Sequence, residues 1–192
     1  MTGFTTTDTT DTTLTKMTLC PLCPWWWSMA VAIYLPMLIE ARRAARNERA
    51  QLARGGIEPA GDVYGAMTLA YPGCFAAMLV ELALRGRPSV EVFATGVTVF
   101  VCAKALKWWA IAALGPAWTF RVILVPSSPL VTTGPYRWLR HPNYIGVVGE
   151  LVGAALMTGA TVAGPAALLV FGVLLIKRIR VEERLLAAGR TS

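Results

Sequence analysis

Apolar residues along this chain come in blocks separated by polar or turn-forming segments, and the block lengths predict membrane-crossing helices. The first block runs from Pro24 to Ile39 and opens on Trp25, Trp26 and Trp27, as an interfacial anchor does. A second covers Tyr64 to Leu84, and a third covers Val92 to Leu114 and stops at Gly115-Pro116. Two shorter blocks follow, Asn143 to Met157 and Val162 to Ile176. Each is about 16 residues, or roughly 24 Å as helix, a length that local bilayer thinning accommodates. Thr158-Gly159-Ala160-Thr161 between them predicts a helical hairpin.

The intervening segments read differently. Glu40 to Asp62 is polar and helix-forming up to a stop at Gly55-Gly56. Ala117 to Pro135 combines the β-branched RVILVP with the turn-rich SSPLVTTGP, and is placed at the membrane surface. Residues 1–23 are read as a disordered threonine-rich tail, with residues 24–192 as one membrane domain. No positively charged region precedes an apolar core there, so the tail is not read as a signal peptide, and Met17 is an alternative start.

Composition sharpens this picture. Of 192 residues, 55% are hydrophobic and only 15% charged, where soluble domains carry about 25% charged residues. Mean hydropathy is +0.53. A disordered chain and a large multidomain protein are excluded, and a soluble enzyme is disfavoured. The expected fold class is an all-α integral membrane protein of about five transmembrane helices. The net charge of +7 is assigned to topology rather than nucleic acid, since no basic stripe interleaves with aromatics. With five spans, 13 of the 18 basic residues fall on one side. The positive-inside rule makes that side, with the C-terminus, cytoplasmic. Cys20 and Cys23 form CPLC, but no second CxxC or histidine pair completes a zinc site, so no metal is expected. Cys74 and Cys102 are expected to be buried small hydrophobes.

Two polar stretches bracket the predicted hairpin: GPYRWLRHPNY over 134–144 and RIRVEERL over 178–185. A hairpin returns the chain to its starting face, which brings Tyr144 and Arg178 together, and Arg178 and Glu182 share a helical face. An imidazole, tyrosines, a carboxylate and an arginine suit a zwitterionic cofactor, with Glu182 matched to an amine or ribose hydroxyls and Arg178 to an oxyanion. These residues make a polar site open to both water and lipid.

GPYRWLRHPNY, an apolar hairpin and RxxxEExxL together resemble the isoprenylcysteine carboxyl methyltransferase family, integral membrane enzymes that use S-adenosylmethionine. The likeness covers Trp118 to Leu186. It implies a cofactor site on the cytoplasmic face, formed by Ser128, Pro129, Leu130, Val131, Tyr136, His141, Pro142, Asn143, Tyr144 and Glu182, with Arg178 on the substrate side. It implies a lipophilic or prenylated acceptor drawn from the bilayer, and a bacterial inner-membrane location. The segment RNERAQLARGGIE is similar to bacterial relatives that methylate alkylpyrone or alkylresorcinol lipids. The FG-containing tail of eukaryotic carboxyl methyltransferases is not found after Arg184, which ranks such a lipid above an isoprenylcysteine.

Methyl transfer requires a positioned, deprotonated nucleophile. A carboxylate is already ionised at neutral pH, whereas a phenol, with a pKa of about 10, needs a base, for which Glu183 or His141 is the candidate. Two other classes compete. A membrane sterol- or steroid-type reductase also carries HPNY, usually with Gly-Glu within three residues of the tyrosine, and would bind NADPH; here Glu150 lies six residues on. A non-enzymatic scaffold would tolerate loss of His141 and Glu182. Gly149 and Gly153, with Gly146 nearby, are read as helix packing in lipid. Lys107 and Glu150, each about 10 Å inside a span, are expected to pair, and snorkelling of Lys107 is the alternative.

Overall fold

A computed structural model describes residues 24–59, 61–126 and 131–188. The expected threonine-rich tail and the CPLC motif therefore lie outside the described residues. So do three of the expected cofactor contacts, Ser128, Pro129 and Leu130.

Five long helices account for the architecture: α1 Pro24–Ala53, α2 Tyr64–Arg85, α3 Val90–Leu114, α4 Pro142–Thr158 and α5 Ala163–Ala188. Short 3-10 turns occupy Gly115–Ala117 and Gly134–Arg137. Among the described residues there is no β-strand, only an isolated antiparallel bridge between Ile57 and Leu124. The all-helical class is as expected. By length and apolarity, two segments qualify as membrane spans, Tyr64–Arg85 and Val90–Ala117. The other three helices do not meet the same criteria of length, apolarity and charge. Large apolar side chains nevertheless face outward on every helix, among them Leu35, Leu69, Val101, Ile145 and Leu169. Such a belt suits lipid rather than water.

The most intimate contact is between α3 and α4, which run antiparallel. A Cβ on Gly153 would lie 2.6 Å from the Phe100 nitrogen, one on Gly149 2.7 Å from the Ala103 Cβ, and one on Gly146 2.8 Å from the Lys107 Cβ. Gly96 meets Met157 and Gly153 in the same way. The glycines of α4 are thus a packing seam, as expected, completed by a glycine on α3. Phe75, Met78, Leu151, Ala154 and Phe171 fill the core among α2, α4 and α5.

The hairpin between α4 and α5 turns at Gly159, whose φ of 63° lies in the left-handed region. Its outer end is held from α2. Both carboxylate oxygens of Glu81 accept the first free N–H groups of α5, Ala163 at 2.6 Å and Val162 at 3.1 Å. Glu81→Leu is expected to cost about 0.5–2 kcal/mol, read as a fall of a few degrees in thermal midpoint; Glu81→Gln should recover part of it.

One expectation is met and extended, and one needs correction. The polar half of α1 is helical up to the expected stop, and it is packed into the protein. The helix is continuous past Ile39, and Glu40, Ala44 and Gln51 are buried. Their neighbours grip the segment after α3: Asn47 Nδ2 donates to the carbonyls of Gly115 and Trp118, and Gln51 Nε2 to that of Pro116. Glu48 accepts the N–H groups of Phe120 and Arg121. Cys74 is buried as expected, but Cys102 is exposed, because it lies on the face of α3 that no other helix covers. An apolar residue in a membrane helix is at home against lipid or protein, so hydrophobicity alone does not place it.

Lys107 does not snorkel. It is 2% exposed and bonds to Glu150 at 3.2 Å and to Glu40 at 2.6 Å. Lys104 completes the set, 2.8 Å from Glu150 and 3.3 Å from Glu40. Tyr71 donates to Glu150 at 2.5 Å, and Trp108 Nε1 to Glu40 at 2.9 Å. Two lysines and two glutamates, equal in charge, thus tie α1, α2, α3 and α4 together.

Candidate active site

The hairpin carries Arg178 and Glu182 back to the start of α4. Four residues apart on α5, both reach Tyr144 in the first turn of α4. The Tyr144 hydroxyl donates to Glu182 Oε2 at 2.7 Å and accepts from Arg178 Nε at 3.2 Å. His141 stacks on the Tyr144 ring at a centroid distance of 5.5 Å and an interplanar angle of 20°. The juxtaposition expected from the hairpin is therefore present.

Two adjoining cavities open around this cluster. A polar one of ≈ 170 Å³ is walled by the segment after α3, including Trp118, Thr119 and Arg121, and by Tyr136, Arg140, His141, Asn143, Tyr144, Arg178 and Glu182. An apolar one of ≈ 220 Å³ lies deeper among the helices, with Met37, Met67, Tyr71, Val147, Phe171 and Leu175 in its wall. Trp118, Thr119, Asn143, Tyr144 and Arg178 belong to both walls. The arrangement can hold a polar ligand and an apolar one with their ends in contact at Asn143, Tyr144 and Arg178.

Asn143 Oδ1 is buried and has no hydrogen-bond partner within the described chain. Buried polar atoms are almost always satisfied, so this oxygen is open to a donor from a ligand or a water that enters the cavity. Tyr136 stands beside the polar cavity; burial, and secondarily the Glu182 charge, push its phenol well above the ordinary range. It stays protonated as a hydrogen-bond donor. α4 begins at Pro142, and the N-terminal end of its dipole favours an anionic group there. These features fit a zwitterionic, ribose-bearing cofactor.

The other expected residues are placed less centrally. Val131 is half-buried and Pro142 is buried at the start of α4; neither is in the wall of either cavity. Glu183 is half exposed, 3.7 Å from His141 Nε2, and lines neither cavity. Among the described residues no group of three or more His, Cys, Asp or Glu is placed to hold a metal.

Asp62 was not anticipated. Its Oδ1 accepts from Arg178 Nη1 at 2.9 Å, and its Oδ2 accepts the Val122 N–H at 3.2 Å. The residue closes the polar loop after α1, 116 positions before Arg178. Nothing local in the sequence distinguishes it from a solvated aspartate. Ile57 pairs with Leu124 and Glu58 with Arg121 alongside it, so the N-terminal part of the chain holds the outer wall of the polar cavity.

Comparison with known proteins agrees with the resemblance read from the motifs. Residues 96–188 match the sequence model of the isoprenylcysteine carboxyl methyltransferase (ICMT) family, which supports a methyltransferase-like membrane protein. The chain is 27% identical over 160 residues to uncharacterized protein YpbQ of Bacillus subtilis (strain 168), covering 83% of this chain and 95% of that protein. It is 24% identical over 139 residues to an uncharacterized protein of Haemophilus influenzae, covering 72% and 81%. No solved structure matches it significantly.

Proposed function

We propose that this chain, whose residues 96–188 match the sequence model of the isoprenylcysteine carboxyl methyltransferase family, transfers a methyl group from S-adenosylmethionine to a carboxyl or hydroxyl oxygen of a lipophilic acceptor. One observation carries the reading: a polar cavity and an apolar cavity share a wall at Asn143, Tyr144 and Arg178. A transferase must bring a water-borne donor and a membrane-borne acceptor together at one point.

S-adenosylmethionine supplies an electrophilic methyl on a sulfonium. Glu182 and the unpaired Asn143 Oδ1 take donors from its amine or ribose, and His141 with Tyr144 offers a stacked aromatic surface to its base. Tyr136 donates from the far wall, and the N-terminus of α4 accommodates a carboxylate. Ser128, Pro129, Leu130, Val131 and Pro142 complete the cofactor set that the family likeness assigns. Arg178 faces the acceptor's oxygen at the junction. Where that oxygen bears a proton, His141, in the cavity wall, takes it, and Glu183 beside it disperses the imidazolium charge. Holding the reactants in line is the chief contribution, with up to about 7–11 kcal/mol available from orientation.

The basic residues that concentrate in the segments flanking the polar cavity support a cytoplasmic position for it and for the C-terminus. The chain crosses the bilayer about five times in this reading, with α1, α4 and α5 joining the two qualifying helices. An alkylpyrone- or alkylresorcinol-type lipid is preferred to an isoprenylcysteine. The test incubates purified protein with methyl-labelled S-adenosylmethionine and a bacterial lipid extract. Label in an organic-soluble product, absent with Arg178→Ala, is the expected result. Label confined to the aqueous phase counts against the proposal.

A further inference from the structure

Two charged side chains lie in the wall of the apolar cavity, Lys107 and Arg178. Each is already matched inside the protein. Lys107 bonds to Glu40 and Glu150. Arg178, 7% exposed at its side chain, bonds to Asp62, 15% exposed, through Nη1 at 2.9 Å, while its Nε is held by Tyr144. Asp62 lines neither cavity; it stands behind the arginine and fills the place of a counter-ion.

We infer that Asp62 is a specificity-determining residue that makes the apolar cavity a site for an amphiphile with an uncharged head, and rejects one headed by a carboxylate. The inference rests on the reading of that cavity as the acceptor's. A carboxylate reaching Arg178 would meet the Asp62 charge across the same guanidinium. Like charges brought together in a water-poor site are strongly disfavoured. An alcohol or phenol needs no counter-ion and accepts from Arg178, or donates to a neighbour, without disturbing the pair. A buried arginine stripped of its partner, by contrast, is an uncompensated charge, and a carboxylate ligand would then restore it. Asp62 also fastens Val122, so the residue that sets the charge of the junction anchors the cavity's outer wall.

The test uses the full chain in nanodiscs of zwitterionic lipid, with 1-decanol and ionised decanoate as probes and thermal midpoint as readout. Wild type is expected to respond to decanol at a concentration tenfold or more below that at which decanoate acts. Asp62→Asn should reverse the order, its lowered midpoint being restored by decanoate and not by decanol. Asp62→Glu should behave as wild type. Leu175→Trp, which fills the cavity, should abolish the response to both. Wild type taking decanoate as readily as decanol overturns the inference, whether or not Asp62→Asn folds. So does an Asp62→Asn protein that decanoate fails to restore, a response that survives Leu175→Trp, or no response to either probe. S-adenosylhomocysteine binding is measured separately. Head-group discrimination without it leaves this inference standing and removes the methyltransferase reading.

Discussion

Glu150→Ala is expected to be the most damaging single change to stability, costing about 3–5 kcal/mol. The substitution leaves Lys104 and Lys107 sharing Glu40 alone, and it removes the acceptor of the Tyr71 hydroxyl. Within a membrane helix the stranded charge has little water to turn to. Pairing, rather than lost volume, is the cause, so Lys107→Met combined with Glu150→Leu should recover much of the loss. The double variant keeps Lys104 and Glu40, 3.3 Å apart, as a matched pair. The measurement is the folded fraction after graded heating in detergent. A double variant no more stable than Glu150→Ala would show that the lysine and glutamate do not act as a pair.

The second large effect concerns the cofactor. Glu182→Ala removes the acceptor of the Tyr144 hydroxyl and the only carboxylate in the wall of the polar cavity among the described residues. Charge-assisted hydrogen bonds of this kind contribute about 1.5–3 kcal/mol, so affinity for S-adenosylhomocysteine should fall roughly 10- to 150-fold. Cys102→Ser, on the exposed face of α3, should leave affinity unchanged. Calorimetry reads both. An unchanged affinity in Glu182→Ala would take this carboxylate out of the cofactor's contacts.

Much of the frame was legible because it depends on short-range pattern. The turn at Gly159 implied a hairpin, and a hairpin implied that Tyr144, Arg178 and Glu182 meet. Small residues at Gly146, Gly149 and Gly153 implied close approach of another helix, and the depth of Lys107 and Glu150 implied that they pair. What escaped depends on residues whose local context suggests solvent. Glu40 opens a run of arginines, a context that carries no sign of burial, yet it is the second carboxylate of the buried set. Asn47, Glu48 and Gln51 have the spacing of an ordinary polar helix face; only the fold shows that this face covers the segment from Gly115 to Arg121. Asp62 acts on a residue 116 positions away. Long-range partners of this sort leave no periodic signal, since their spacing is set by how the helices stack and not by the pitch of any one of them.

The separation of the two cavities gives the protein its logic. The N-terminal part of the chain, through Asn47, Glu48, Gln51 and Asp62, holds the outer wall. The hairpin of α4 and α5 supplies the polar contacts. Their shared wall at Asn143, Tyr144 and Arg178 is where the two cavities adjoin and where the proposed reaction would bring donor and acceptor together.

The most direct test of this account is calorimetric titration of S-adenosylhomocysteine into the detergent-purified protein, with NADPH as a parallel ligand and His141→Ala as the comparison. The account predicts saturable binding of S-adenosylhomocysteine that is weakened in His141→Ala, and no heat from NADPH. A folded protein that ignores S-adenosylhomocysteine and binds NADPH would contradict it and point to a reductase; one that ignores both would leave a membrane scaffold.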